Sequence, residues 1–252
     1  MSIVVEIPWL FLIIAGFAGY FQTVTGFGLG IIVMGLTGAL AIAPVASVAV
    51  VVSLMAMANC AMALPRRLHY VDWPVAGATV LGMLPAIIGG VLLLNYLSDS
   101  NIAIVRVLLG VVILYAGANL LIKKTLQEKL SGRGSFVVFG ALAGFLGGLF
   151  GVGGPPLVYH YYRQPLDPIR IRTTLILLFA ASSSVRTLFV ISQGDMTLDI
   201  LLLAAWAFPM VAIGTVLGRY YPPRWSALTM RRVVFTVLIL IGLRLIVGEL
   251  LP

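Results

Sequence analysis

The chain has 252 residues, 61% of them hydrophobic and only 10% charged, with a mean hydropathy of +1.12. A soluble domain carries roughly 25% charged residues, so a soluble globule is excluded, as is disorder, which needs low hydrophobicity and high net charge. The 16 Lys plus Arg against 8 Asp plus Glu leave +8, but these charges punctuate apolar segments and form no basic face on a water-soluble surface, so they read as topology signals and not as a nucleic-acid footprint.

Residues 1–6 have no basic n-region and no small-residue cleavage site follows, so no removable signal peptide is expected. Cys60 stands alone in an apolar run, which excludes a disulfide scaffold. A spanning helix needs about 20 predominantly apolar residues, and on that ruler the polar clusters divide the chain into eight blocks. The first covers residues 7–43, followed by 45–64, 73–97 and 102–122. The most polar stretch, 123–134, is the linker between halves, and 135–162, 173–192, 198–217 and 233–251 follow. All are expected to be helical, because only helices or closed barrels satisfy backbone groups in lipid and these runs lack a barrel's alternation. The expected domains are a first repeat at 1–122, a cytoplasmic linker at 123–134 and a second repeat at 135–252.

The first block carries Gly16, Gly19 and the run Gln22-Thr23-Val24-Thr25-Gly26-Phe27-Gly28-Leu29-Gly30. The fifth carries Gly144, Gly147, Gly148 and Gly151-Val152-Gly153-Gly154-Pro155-Pro156. Adjacent glycines and a Pro-Pro pair remove helix stability and amide donors, so the backbone is expected to unwind at both places. One reading makes these breaks a paired site at the bilayer midplane, where half-helix N-termini meet an anion. The other makes the small residues a seam for close helix packing. The Pro-Pro pair and the duplication of the break favour the first.

The halves correspond when the first is moved forward by about 125 residues. Ala18-Gly19-Tyr20 then falls on Ala143-Gly144-Phe145, and Gly26-Phe27-Gly28 on Gly151-Val152-Gly153. With a one-residue slip Pro85 and Gly90 meet Pro209 and Gly214. Cytoplasmic loops collect Lys and Arg. If each glycine-rich block enters and leaves on one side as a hairpin, nearly every basic residue falls on one face. Glu6, Asp99, Asp195, Asp199 and Glu249 then fall on the other. Three crossings plus a broken hairpin per half, in inverted orientation, is therefore the expected fold. Arg106 and Arg244 are exceptions near outer helix ends, where a long side chain can snorkel.

Arg186 lies inside the sixth block after Ser182-Ser183-Ser184. A charge within a span is a functional candidate by default; snorkelling toward the Gln193 end competes with that reading. Asn59 is the mate of Ser184 and is either a second polar contact or an interhelical hydrogen bond. Tyr159, Tyr161, Tyr162, His160, Trp9, Trp73 and Trp225 read as interface belt, with a proton relay as a minor alternative for His160. Met34, Met55, Met57, Met62 and Met83 read as packing. No metal, nucleotide or Ser-His-Asp motif is present in the sequence, and no cofactor is expected.

At its glycine motifs the chain resembles the TauE/SafE family, the sulfite-exporter or TSUP group, whose halves each open with a Gly-x-Gly-Gly-type motif. The matching residues are Gly26, Gly28 and Gly30, then Gly151-Val152-Gly153-Gly154-Pro155-Pro156, and the likeness continues into Arg172-Thr173-Thr174 and residues 182–186. Phe27 and Leu29 interrupt the first motif. The resemblance implies transport of sulfite, sulfonates or related sulfur oxyanions across the cytoplasmic membrane. It fixes neither substrate nor direction.

Together these features point to a multi-pass secondary transporter, not an enzyme, whose partners are a small anion and the lipid bilayer; a homodimer is one option for its assembly. Amides near Gly26, Phe27, Gly28, Gly151, Val152, Gly153 and Gly154 would bind the anion and Arg186 would supply charge. Gln22, Thr23, Thr25, Asn59, Ser182, Ser183 and Ser184 would be second-rank donors. An anion channel and a membrane-embedded enzyme are the alternatives; the latter would need paired carboxylates at membrane depth.

Overall fold

The computed structural model describes residues 9–25, 28–64, 68–121, 126–221 and 227–250, leaving aside the side chains of 24, 25, 62, 63, 119–121, 219, 227–235, 249 and 250. These form ten α-helices: α1 Trp9–Thr25, α2 Leu29–Ala39, α3 Val45–Ala63, α4 Trp73–Ser100, α5 Ile102–Leu121, α6 Arg133–Phe150, α7 Gly154–Tyr161, α8 Pro168–Gln193, α9 Leu198–Tyr220 and α10 Ala227–Leu250. The first and fifth apolar blocks each give two helices, and the other six give one. Among the described residues, four helical segments are long and apolar enough to span a bilayer: Trp73–Ser100, Arg133–Phe150, Pro168–Gln193 and Leu198–Gly218. Large apolar side chains such as Leu81, Leu188, Trp206, Ile213 and Leu240 stand more than half exposed around the bundle. That surface suits lipid and not water. The protein is an all-helical polytopic membrane protein.

Local chemistry sets the helix ends. Asp72 and Asp167 begin α4 and α8 by accepting from the amides of Val75 (3.3 Å) and Ile169 (2.8 Å), each beside a proline in the first turn. The Asp167 cap starts α8 five residues before the block 173–192, so Arg170 and Arg172 lie on the helix. Thr197 caps α9 through the amide of Ile200. Pro85 and Pro209, mates in the 125-residue correspondence, both sit inside long helices, α4 and α9.

The helices pack across the two halves. α6 lies along α4, with Gly140 against Thr79, Gly144 against Met83 and Gly148 against Ile87. α1 lies along α9, with Gly16 against Met210, Gly19 against Val211 and Gly218 against Tyr20 and Thr23. Residue numbers rise together in both pairs, so each pair is parallel. α3 with α8 and α5 with α10 are the other main contacts. Moving each half onto the other exchanges the first two pairs and maps the last two onto themselves.

Asn95, near the end of α4, donates to Asp195 at 3.0 Å, just before α9 begins. α4 and α9 therefore run in opposite directions, and so do α6 and α1. α7 folds back along α6, toward the end where α6 begins. His160 on α7 stacks on Phe139 with centroids 4.2 Å apart and meets the Ser135 hydroxyl at 3.3 Å, near the start of α6. Arg244 Nε donates to the carbonyl of Ala39 at 3.1 Å, closing the end of α2. This bond, besides any snorkelling, accounts for an arginine on α10.

Two belt assignments are corrected. Tyr161 is fully buried, its hydroxyl 2.7 Å from that of Thr79, and His160 is 3% exposed. The short α7 folds back against α6, which turns its terminal side chains inward. Trp9 and Trp73 are well exposed, as belt residues should be; Trp225 lies outside the described residues.

Candidate functional site

Both glycine motifs interrupt a helix. Between α1 and α2 the backbone turns at Gly28, with φ +110°, and between α6 and α7 at Gly151, with φ +67°. An L-residue pays about 1–2 kcal/mol in that left-handed region, so glycine belongs at both turns. The breaks touch: a Cβ placed on Gly30 would lie 2.8 Å from the carbonyl oxygen of Gly151, and the Val52 side chain packs on both glycines.

Beside this contact is a cavity of about 60 Å³, lined by Gln22, Gly28, Leu29, Gly30 and Ile31 from the first hairpin and by Gly151, Val152, Gly153 and Gly154 from the second. Ser182 and Ser183 of α8 complete its polar wall. That volume holds roughly four to six waters, the scale of a small oxyanion. The first helical bond of α2 is from Ile32 to Gly28, at 3.0 Å. The amides of Leu29, Gly30 and Ile31 thus have no partner within the helix, and they end at the cavity. Helix N-terminal amides, two hydroxyls and a carboxamide in an apolar shell can hold a small anion by its oxygens.

Other expected site residues lie elsewhere. Thr23 donates to the carbonyl of Gly19 at 2.9 Å, within its own helix. Ser184 does not line the cavity. Asn59 lies one turn beyond the cavity-lining Ala56, and its Nδ2 is buried with no hydrogen-bond partner. Gly26 and Phe27 lie outside the described residues, as does the side chain of Thr25. Arg186 is 1% exposed and sits one layer behind the cavity, where Nε donates to Gly148 O at 3.0 Å and a terminal nitrogen to Ser53 Oγ at 3.2 Å.

Sequence reasoning missed the apolar wall: Val52, Ala56, Met83, Ala143, Leu157 and Phe179. Met83 is buried in the core and also lines the cavity. The others carry no signal in the sequence beyond small or apolar character.

The family model described as "Sulfite exporter TauE/SafE" matches residues 11–245. The chain is also similar to a protein of Cupriavidus necator named "Probable sulfite/organosulfonate exporter TauE", with 51% identity over 227 residues, which cover 90% of this chain and 89% of that one. No solved structure matches it.

Proposed function

Because the chain belongs to the sulfite exporter TauE/SafE family, we propose that it is a secondary transporter of a small sulfur oxyanion, sulfite or an organosulfonate, in the cytoplasmic membrane. The observation that carries this reading is the meeting of the two glycine breaks at one cavity of about 60 Å³, apolar in most of its wall and with Gln22, Ser182 and Ser183 as polar side chains. The anion's oxygens accept from the amides at the start of α2, from those of Gly153 and Gly154, and from Gln22, Ser182 and Ser183, whereas the Gly151 and Val152 amides already donate to Gly147 O at 2.9 Å and Leu146 O at 3.4 Å. Asn59, whose buried amide nitrogen lacks a partner, gives a further donor one turn away. Arg186 contributes positive potential from the layer behind.

The halves 1–122 and 135–252 act as inverted repeats, and rocking of one against the other opens the cavity to alternate faces. The antiparallel course of α1 and α6 supports this arrangement. Inside-negative potential favours outward movement of an anion by about 2.3 kcal/mol per charge per 100 mV.

Purified protein in proteoliposomes tests the function. Saturable sulfite efflux, accelerated by sulfite on the opposite face, is expected; a non-saturating ohmic current would make the protein a channel. Topology is tested in a Cys60→Ala background. His69→Cys and Tyr221→Cys, on either side of the second glycine-rich hairpin in the chain, should react with an impermeant thiol reagent from the same face, and labelling from opposite faces would sink the inverted arrangement.

A further inference from the structure

Three helices line two cavities in succession. Along α3 the cavity between the breaks is reached at Val52, and a second cavity of about 290 Å³ at Val50. Along α8 the step is from Ser183 to Arg186, a rise of about 4.5 Å, and along α4 it is from Met83 to Val91. The second cavity lies at the end of the bundle where Asn95 meets Asp195, and both Asp99 and Asp195 line it.

One polar layer separates the two spaces. Arg186 crosses it from α8, bonded to Gly148 of α6 and to Ser53 of α3, which belongs to the other half of the chain. Ser53 is itself 1% exposed and donates its own proton to Ala49 O at 3.0 Å, so toward Arg186 it can only accept. A guanidinium has five N–H donors, and here two neutral oxygens and no carboxylate of the described residues answer it. A buried charge held so sparsely is poised to accept an anionic partner.

We propose that Arg186 is the gate between the two cavities, the Ser53 and Gly148 bonds forming its closed latch. This rests on the reading that the cavity between the breaks holds the transported oxyanion. The anion leaves that cavity by taking the place of Ser53 on the guanidinium, which frees α8 from α3. It then enters a space where the Asp99 and Asp195 carboxylates repel it, so it does not dwell there and anions from the far side are disfavoured from entering. Arg186 is thus a positioning residue of the translocation step, not a wall of the resting site.

The test uses the reconstituted full chain in the Cys60→Ala background, with an impermeant thiol reagent added to the face nearest Asp195. Ser47→Cys, in the second cavity, should react readily from that face, and Ser183→Cys, in the first, at least about tenfold more slowly. Adding Ser53→Ala removes one side of the latch while keeping the charge. It should speed Ser183→Cys labelling from that face by about tenfold, and Arg186→Ala should do the same, with Arg186→Lys restoring part of the protection. Equal labelling of the two cysteines in the intact latch, or no change on Ser53→Ala, overturns the gate. Labelling does not require transport. If the pattern holds while sulfite neither crosses nor slows Ser183→Cys labelling, the gate stands and the assignment of the anion falls.

Discussion

A methyl group at residue 30 should stop sulfite flux while leaving the protein folded. A Cβ on Gly30 would lie 2.8 Å from the Gly151 carbonyl oxygen and 3.2 Å from Val52 Cγ1, at the contact between the two breaks. The backbone there must move by several tenths of an ångström, and the neighbouring cavity gives it room. Relief of the clash therefore closes the space that the anion needs. A cavity of about 60 Å³ cannot lose a methyl-sized share and still seat an oxyanion on the Leu29 to Ile31 amides. The Gly30→Ala variant should elute as the parent does on size exclusion and lose at least about tenfold in efflux, equivalent to about 1.4 kcal/mol. Gly77→Ala, where an added Cβ meets nothing within 4 Å, is the matched control. Parent-level flux in Gly30→Ala would remove the contact between the breaks from the transport path.

The same geometry shows why part of this site was legible in the sequence and part was not. Glycine clusters and a Pro-Pro pair weaken a helix whatever surrounds them, so the breaks at Gly28 and Gly151 follow from local chemistry. Elements that the 125-residue correspondence pairs also make comparable contacts, α1 on α9 and α6 on α4. Depth and facing are not local properties. Arg186 follows the cavity-lining Ser183 by less than one turn, and that rise carries it into the next layer of the bundle. Tyr161 lies at a segment end, where an amphipathic ring usually meets headgroups. Only the return of α7 against α6, a tertiary contact, places it beside Thr79. Thr23 resembles a ligand by type, but a threonine inside a helix can donate to the carbonyl four residues back. The apolar wall of the cavity comes from helices far apart in sequence, and no pattern within any one of them marks it.

Adjacent glycines on α4 give the sharpest test of the helix pairing. A Cβ on Gly90 would fall on the carbonyl oxygen of Phe145 and within 2.9 Å of the Leu149 amide, whereas one on Gly89 would meet nothing within 4 Å. Neither Phe145 nor Leu149 can yield at those atoms without shifting α6 itself, because the atoms are backbone. Gly90→Ala should cost on the order of 3 kcal/mol or more, the upper range for overpacking. Gly89→Ala should be neutral or gain up to about 1 kcal/mol from helix propensity. Gly214, the mate of Gly90, is in the same position on α9: its Cβ would fall on the Gly16 carbonyl oxygen, 2.8 Å from the Tyr20 amide. The two contacts match to within about one helical turn, Gly16 and Tyr20 answering Phe145 and Leu149. Gly214→Ala should therefore fail as Gly90→Ala does. Thermal unfolding of the detergent-purified variants checks both, with Gly89→Ala as the reference. If Gly90→Ala melts with Gly89→Ala, α4 does not lie on α6 in this register. If only one of Gly90→Ala and Gly214→Ala is destabilised, the cross-half contacts are not equivalent, and a symmetric rocking motion about them loses its structural basis.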